Sequence, residues 1–227
     1  MTIDNTTKMF DAELAEHIRQ NPLIAVLVID EVEAALPLAK ALLDGGIKVM
    51  ELTLRTTAAL DAAKLINSKV PEITLGLGTV LTAQQVSAAK EVGAAFAVAP
   101  GLNPKILNAA RKQGLSFAPG IVTPSDIEHA LEYGCQLMKF FPAETSGGLK
   151  HLRSMAGPYA HMNISFIPLG GLNENNMSDY LADPIVDAIG GSWIAPRPLI
   201  QARDWNAITQ RARLAVTAAN NILGEKS

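Results

Sequence analysis

Eight short apolar runs recur along this chain of 227 residues, and each run after the first is reached through a segment with helical spacing. The runs are LIAVLVID (23–30), VMELTL (49–54), ITLGLGTV (73–80), AFAVAPG (95–101), LSFAPGIV (115–122), LMKFFPA (137–143), SFIPLGGL (165–172) and VDAIGGSW (186–193). Their length and flanking turn residues predict strands. Between them, segments such as EVEAALPLAKALLDGG, TAQQVSAAKEVG, NPKILNAARKQG and PSDIEHALEYG carry apolar residues at the helical period and close on glycine. Pro104 after Asn103 and Pro124 after Thr123 mark helix starts, with Thr123 or Ser125 as candidate caps. Strands joined by helical crossovers run parallel. Eight such units in about 200 residues predict a (β/α)8 TIM barrel, one domain over residues 1–227. An open doubly wound sheet fits less well, because GLGTVL holds only the first two glycines of a dinucleotide fingerprint. MFDAELAEHIRQN reads as an extra N-terminal helix closing the barrel floor, and DWNAITQRARLAVTAANNIL as a helix completing the outer ring.

Charge and composition narrow the partners. A net charge of −3 provides no basic field for nucleic acid or anionic lipid. The first residues are acidic where a signal peptide has its apolar core, and no apolar segment reaches about 18 residues, so a cytoplasmic protein without a membrane span is expected. Cys135, the single cysteine, excludes an internal disulfide and a thiolate-cluster metal site, and reads as a small core residue. His17, His129, His151 and His161 lack metal-ligand spacing, so no metal is expected.

Two charged residues interrupt the apolar runs. Glu51 lies in the second and Lys139 in the sixth, strands that face each other across an eight-strand ring. Buried charges need each other, a hydrogen-bond shell or a chemical role. Lys139 is therefore either a snorkelling or ion-paired structural residue, or an amine nucleophile at the barrel mouth, desolvated by Phe140 and Phe141, with Glu51 as proton shuttle. PLGG (168–171) and IGGS (189–192) end the seventh and eighth strands, whose loops commonly bind phosphate in this fold through backbone N–H groups. The alternative is that these glycines only make tight turns.

MELTLRT, GLGTV, APG, PGIVTPSDI, KFFPAE, GG and GGSW stand in the order and spacing of one family, which the chain resembles over nearly its whole length. That family is the class I 2-keto-3-deoxy-6-phosphogluconate (KDPG) aldolases, a group shared with the 4-hydroxy-2-oxoglutarate (KHG) aldolases. The resemblance implies a homotrimer without metal or organic cofactor, whose partners are pyruvate and a phosphorylated 2-keto-3-deoxy sugar acid. It implies Lys139 as the Schiff-base lysine and Glu51 as the general acid/base. Arg55 and Thr79 would hold the substrate carboxylate, Pro100 and Phe141 would pack around the iminium, and Gly170, Gly171, Gly191 and Ser192 would hold phosphate. The competing structural roles are an Arg55 paired with Glu51 or Asp61 and a Thr79 that caps the next helix. Glu144 could pin the loop after the sixth strand. Leu169 stands where many members have threonine, which leads us to expect relaxed selectivity at C4 or acceptance of shorter 4-hydroxy-2-oxoacids. Oxaloacetate decarboxylation is a chemically reasonable side reaction, and a phosphosugar-binding barrel of another kind is the rival class.

Overall fold

The computed structural model describes residues 8–224; residues 1–7 and 225–227 of the expected domain lie outside the described residues. Strands form in all eight predicted runs: β1 (Leu23–Leu27), β2 (Val49–Thr53), β3 (Thr74–Gly78), β4 (Phe96–Val98), β5 (Ser116–Ala118), β6 (Gly120–Ile121), β7 (Leu137–Phe140), β8 (Ser165–Pro168) and β9 (Ile189–Gly191). There are nine segments rather than eight because the fifth run breaks at Pro119. Proline has no N–H to give the ladder, and its carbonyl instead accepts from the Lys139 N–H at 2.9 Å. The order β5-β4-β3-β2-β1-β9 makes a six-stranded parallel half-barrel sheet, and β6-β7-β8 a second parallel sheet. Isolated bridges Phe166↔Val186 and Leu169↔Gly190 join the two.

Helices start where the sequence offers caps. Asp11 caps α1 (Ala12–Gln20) by accepting from the Leu14 N–H at 2.8 Å, and α1 buries Ile18. Asn103 caps α5 (Pro104–Gln113), which ends on the left-handed Gly114. Thr123 caps α6 (Pro124–Glu132) in a reciprocal box with Asp126, and Thr82 caps α4 (Ala83–Glu91) in the same way with Gln85. The helix cap considered for Thr79 therefore belongs to Thr82. The long α10 (Trp205–Gly224) packs on α2 (Ala35–Asp44).

Two apolar layers follow from the period of two along each strand. Alternate residues face the helices, among them Met50, Leu52, Met138 and Phe140. The others face inward, where Ile24, Val49, Phe96, Val98, Leu137 and Ile167 pack with Phe10 and Ile18 from the N-terminal segment. Full burial of a side chain such as Ile18 contributes about 1.5–3 kcal/mol. Glu51 follows Val49, and Lys139 follows Leu137, on this inward face.

Candidate active site

The inward stagger brings the two charged residues together. Lys139 Nζ donates to both Glu51 carboxylate oxygens at 3.3 Å, and the residues are 6% and 3% exposed. A glycine neighbour makes room: a Cβ on Gly78 would stand 2.1 Å from Glu51 Oε1. Lys139 Nζ also lies 5.4 Å from the centroid of the Phe141 ring, a cation–π contact. Phe140 does not share this work. The pleat turns it to the helix side, where its ring lies 6.1 Å from His151. The expectation that both phenylalanines shield the lysine is thus corrected to Phe141.

Beside the pair lies the glycine loop after β8. Gly170 and Gly171 have φ values of 96° and 86°, a left-handed backbone that only glycine adopts freely. Their carbonyls are turned into the protein: Gly170 O accepts from the Glu144 N–H at 3.0 Å, and Gly171 O from Asn173 Nδ2 and Asn176 Nδ2 at 3.2 Å each. The N–H groups of both glycines have no acceptor among the described residues, so the loop offers adjacent free donors, as an anion site needs.

A family model described as KDPG and KHG aldolase matches residues 14–211. The chain belongs to this family. It is 43% identical over 216 residues to the 2-dehydro-3-deoxy-phosphogluconate aldolase of Pseudoalteromonas atlantica, covering 95% of this chain and 100% of the relative. It is 44% identical over 198 residues to the KHG/KDPG aldolase of Escherichia coli K12, covering 87% and 92%. Among solved structures, the KDPG aldolase of Legionella pneumophila, with pyruvate captured at low pH as a covalent carbinolamine intermediate, superposes with a TM-score of 0.84 at 38% identity, covering 88% and 96%.

The aldolase-family residues named from sequence fall into two groups. Lys139, Glu51, Phe141 and Gly170 form one cluster, since a Cβ on Gly170 would meet the Phe141 ring at 3.2 Å. Pro100 touches Gly120, the β6 partner of Lys139, and Thr79 directly follows Gly78. Gly171, Gly191, Ser192 and Arg55 lie at strand exits; Ser192 and Arg55 are exposed, and the Arg55 side chain has no partner among the described residues. The pairing of Arg55 with Glu51 or Asp61 is therefore not formed. Leu169 is buried in the inward layer and packs against Gly190.

Four residues escaped the sequence reading. Asn173 and Asn176 hold the glycine loop, Tyr180 binds Glu144, and the Trp193 ring lies against Gly191 with its indole N–H buried and unpartnered among the described residues. The one available signal was NENN directly after GGL, a cluster of amide side chains suited to holding backbone. Cys135 is buried, and desolvation pushes its thiol up to about 12, which suits the core role expected of it.

Proposed function

We propose that this protein is a class I aldolase that reversibly cleaves 2-keto-3-deoxy-6-phosphogluconate to pyruvate and glyceraldehyde 3-phosphate. The observation that carries the reading is an amine held 3.3 Å from a carboxylate in an apolar interior. Lys139 Nζ, its proton passed to Glu51, attacks the C2 ketone to give a carbinolamine, and return of that proton to the carbinolamine hydroxyl expels water to leave an iminium. Glu51 takes the proton of the C4 hydroxyl as the C3–C4 bond breaks, and the bonding electrons move into the iminium to form an enamine. Glyceraldehyde 3-phosphate leaves. Protonation of the enamine at C3 and hydrolysis release pyruvate and restore the lysine.

The remaining residues position the substrate. Arg55 and Thr79 hold the carboxylate of the pyruvyl half, the guanidinium by its planar fork. Pro100 and Phe141 pack around the iminium, and Gly170, Gly171, Gly191 and Ser192 hold the phosphate. Lys139 supplies the electron sink, so the scheme calls for neither metal nor organic cofactor. We extend the reading to the whole molecule: one domain, its two sheets closed into an eight-stranded (β/α)8 barrel through the β8–β9 bridge and the β9–β1 ladder, with α1 as an extra helix under the floor. Three such chains form the enzyme, which works in the cytoplasm on small-molecule substrates. No helix among the described residues is long and apolar enough to cross a membrane.

A second reading has one observation in its favour. Leu169 puts a buried aliphatic side chain beside the glycine loop where a hydroxyl would bind a sugar oxygen, and a lost buried donor changes discrimination by about 1–3 kcal/mol. On that reading 4-hydroxy-2-oxoglutarate, cleaved to pyruvate and glyoxylate, is the better substrate. Measuring kcat/KM for both compounds decides: a higher value for the phosphorylated six-carbon acid supports the first reading, the reverse supports the second, and release of pyruvate from neither contradicts both.

A further inference from the structure

The segment after β7 leads straight from Lys139 to the glycine loop. Its backbone is stitched to that loop by two bonds, from the Ala143 N–H to Leu169 O at 2.8 Å and from the Glu144 N–H to Gly170 O at 3.0 Å. The two strands of chain lie so close that a Cβ on Gly171 would stand 2.6 Å from Glu144 Cβ. Glu144 is exposed and carries a negative charge beside a loop whose free donors suit an anion. A carboxylate there would repel a phosphate unless something holds it away. Tyr180, buried on the short helix α8 (Met177–Leu181), does so: its hydroxyl donates to Glu144 Oε1 at 2.5 Å. Burial, followed by this bond, raises the phenol well above its ordinary value, so Tyr180 remains the donor at neutral pH.

We propose that Tyr180 and Glu144 are positioning residues, whose hydrogen bond locks the loop after β7 against Gly170–Gly171 and so sets affinity for the phosphate end of the substrate. The inference rests on the aldolase reading for its substrate. It separates two ends of one molecule: the phosphate end depends on the pair, and Schiff-base formation at Lys139 does not.

Tyr180→Phe deletes the one hydroxyl and keeps the packed ring. The expected result is a KM for 2-keto-3-deoxy-6-phosphogluconate raised about tenfold, with kcat within about a factor of two. KM for the unphosphorylated 2-keto-3-deoxygluconate, and borohydride trapping of pyruvate, stay at the level of the unmodified enzyme. Glu144→Gln, which retains a carbonyl acceptor, keeps KM near the unmodified value, whereas Glu144→Ala, which frees the loop but removes the charge, raises KM by less than Tyr180→Phe. Equal changes for both substrates, a change that follows thermal stability alone, or no change would overturn the proposal. Should Tyr180→Phe fail to fold, the Glu144 variants at an exposed site carry the same comparison. If the unmodified protein does not trap pyruvate, the aldolase reading fails, and calorimetric titration with glyceraldehyde 3-phosphate decides the inference: weaker binding to the variants supports it, equal binding contradicts it.

Discussion

Among the buried carboxylates that hold cations, Asp187 and Glu51 lie at different levels of the strands. Asp187, just before β9, receives Arg19 Nε at 3.0 Å, Arg19 Nη2 at 3.3 Å and the Ser165 hydroxyl at 2.6 Å. It borders a cavity of about 760 Å³ at the N-terminal end of the strands, together with Glu16 and Gln136. Glu51, midway along β2, faces a single ammonium at 3.3 Å and no other donor among the described residues. The first carboxylate has its lone pairs satisfied and its cation is half in water, an arrangement that ties α1 to the sheet. The second pair is buried and sparsely bonded, each partner satisfied by the other. The two carboxylates thus differ in hydrogen bonding: Asp187 accepts from two side chains, and Glu51 from Lys139 alone among the described residues.

Replacing the inner pair should have the largest effect. Lys139→Met strands Glu51 in the interior and should cost about 3–5 kcal/mol in urea unfolding, whereas Lys139→Met with Glu51→Leu should recover that loss or exceed the unmodified protein by up to about 1–4 kcal/mol. Both variants should be inactive. A double variant as unstable as the single one would make the pair a structural element. The outer carboxylate should behave in the opposite way: Asp187→Ala leaves the Ser165 hydroxyl without an acceptor and should cost about 1–3 kcal/mol, a figure reduced because Arg19 is half exposed, with cleavage unchanged. Loss of cleavage at full stability would give the N-terminal end a part in the chemistry.

The smallest effect concerns Cys135. Burial pushes its folded thiol up to about 12, from the ordinary value of 9.0. A raised folded value stabilises fully below the unfolded value, and the contribution is lost as pH rises from 9 toward 12. Alkylation by iodoacetamide at pH 8 should therefore be negligible until denaturant is added, and rapid labelling of the folded protein would contradict the burial of this residue.

Much of this arrangement is legible in the sequence because two periods carry it. Alternation places Glu51 and Lys139 on the same inward face as Val49 and Leu137, and their charges mark them in otherwise apolar runs. The same alternation should have separated Phe140 from Phe141, which adjacency in sequence obscured. Local chemistry fixed Thr82 as the cap of α4 through Gln85, three residues on, and the break at Pro119 follows from its missing N–H. Neither competes well with the signal of a continuous apolar run. The Tyr180–Glu144 bond was not legible at all, since it joins residues 36 apart whose meeting depends on how α8 docks. The amides of Asn173 and Asn176 likewise show a role only once the carbonyl of Gly171 is seen between them.

Incubation with pyruvate and borohydride, followed by peptide mass spectrometry, tests whether Lys139 forms the Schiff base. One reduced pyruvyl adduct per chain is expected on Lys139, and none on Lys139→Arg; an adduct on another lysine, or no adduct anywhere, would refute Schiff-base chemistry at Lys139.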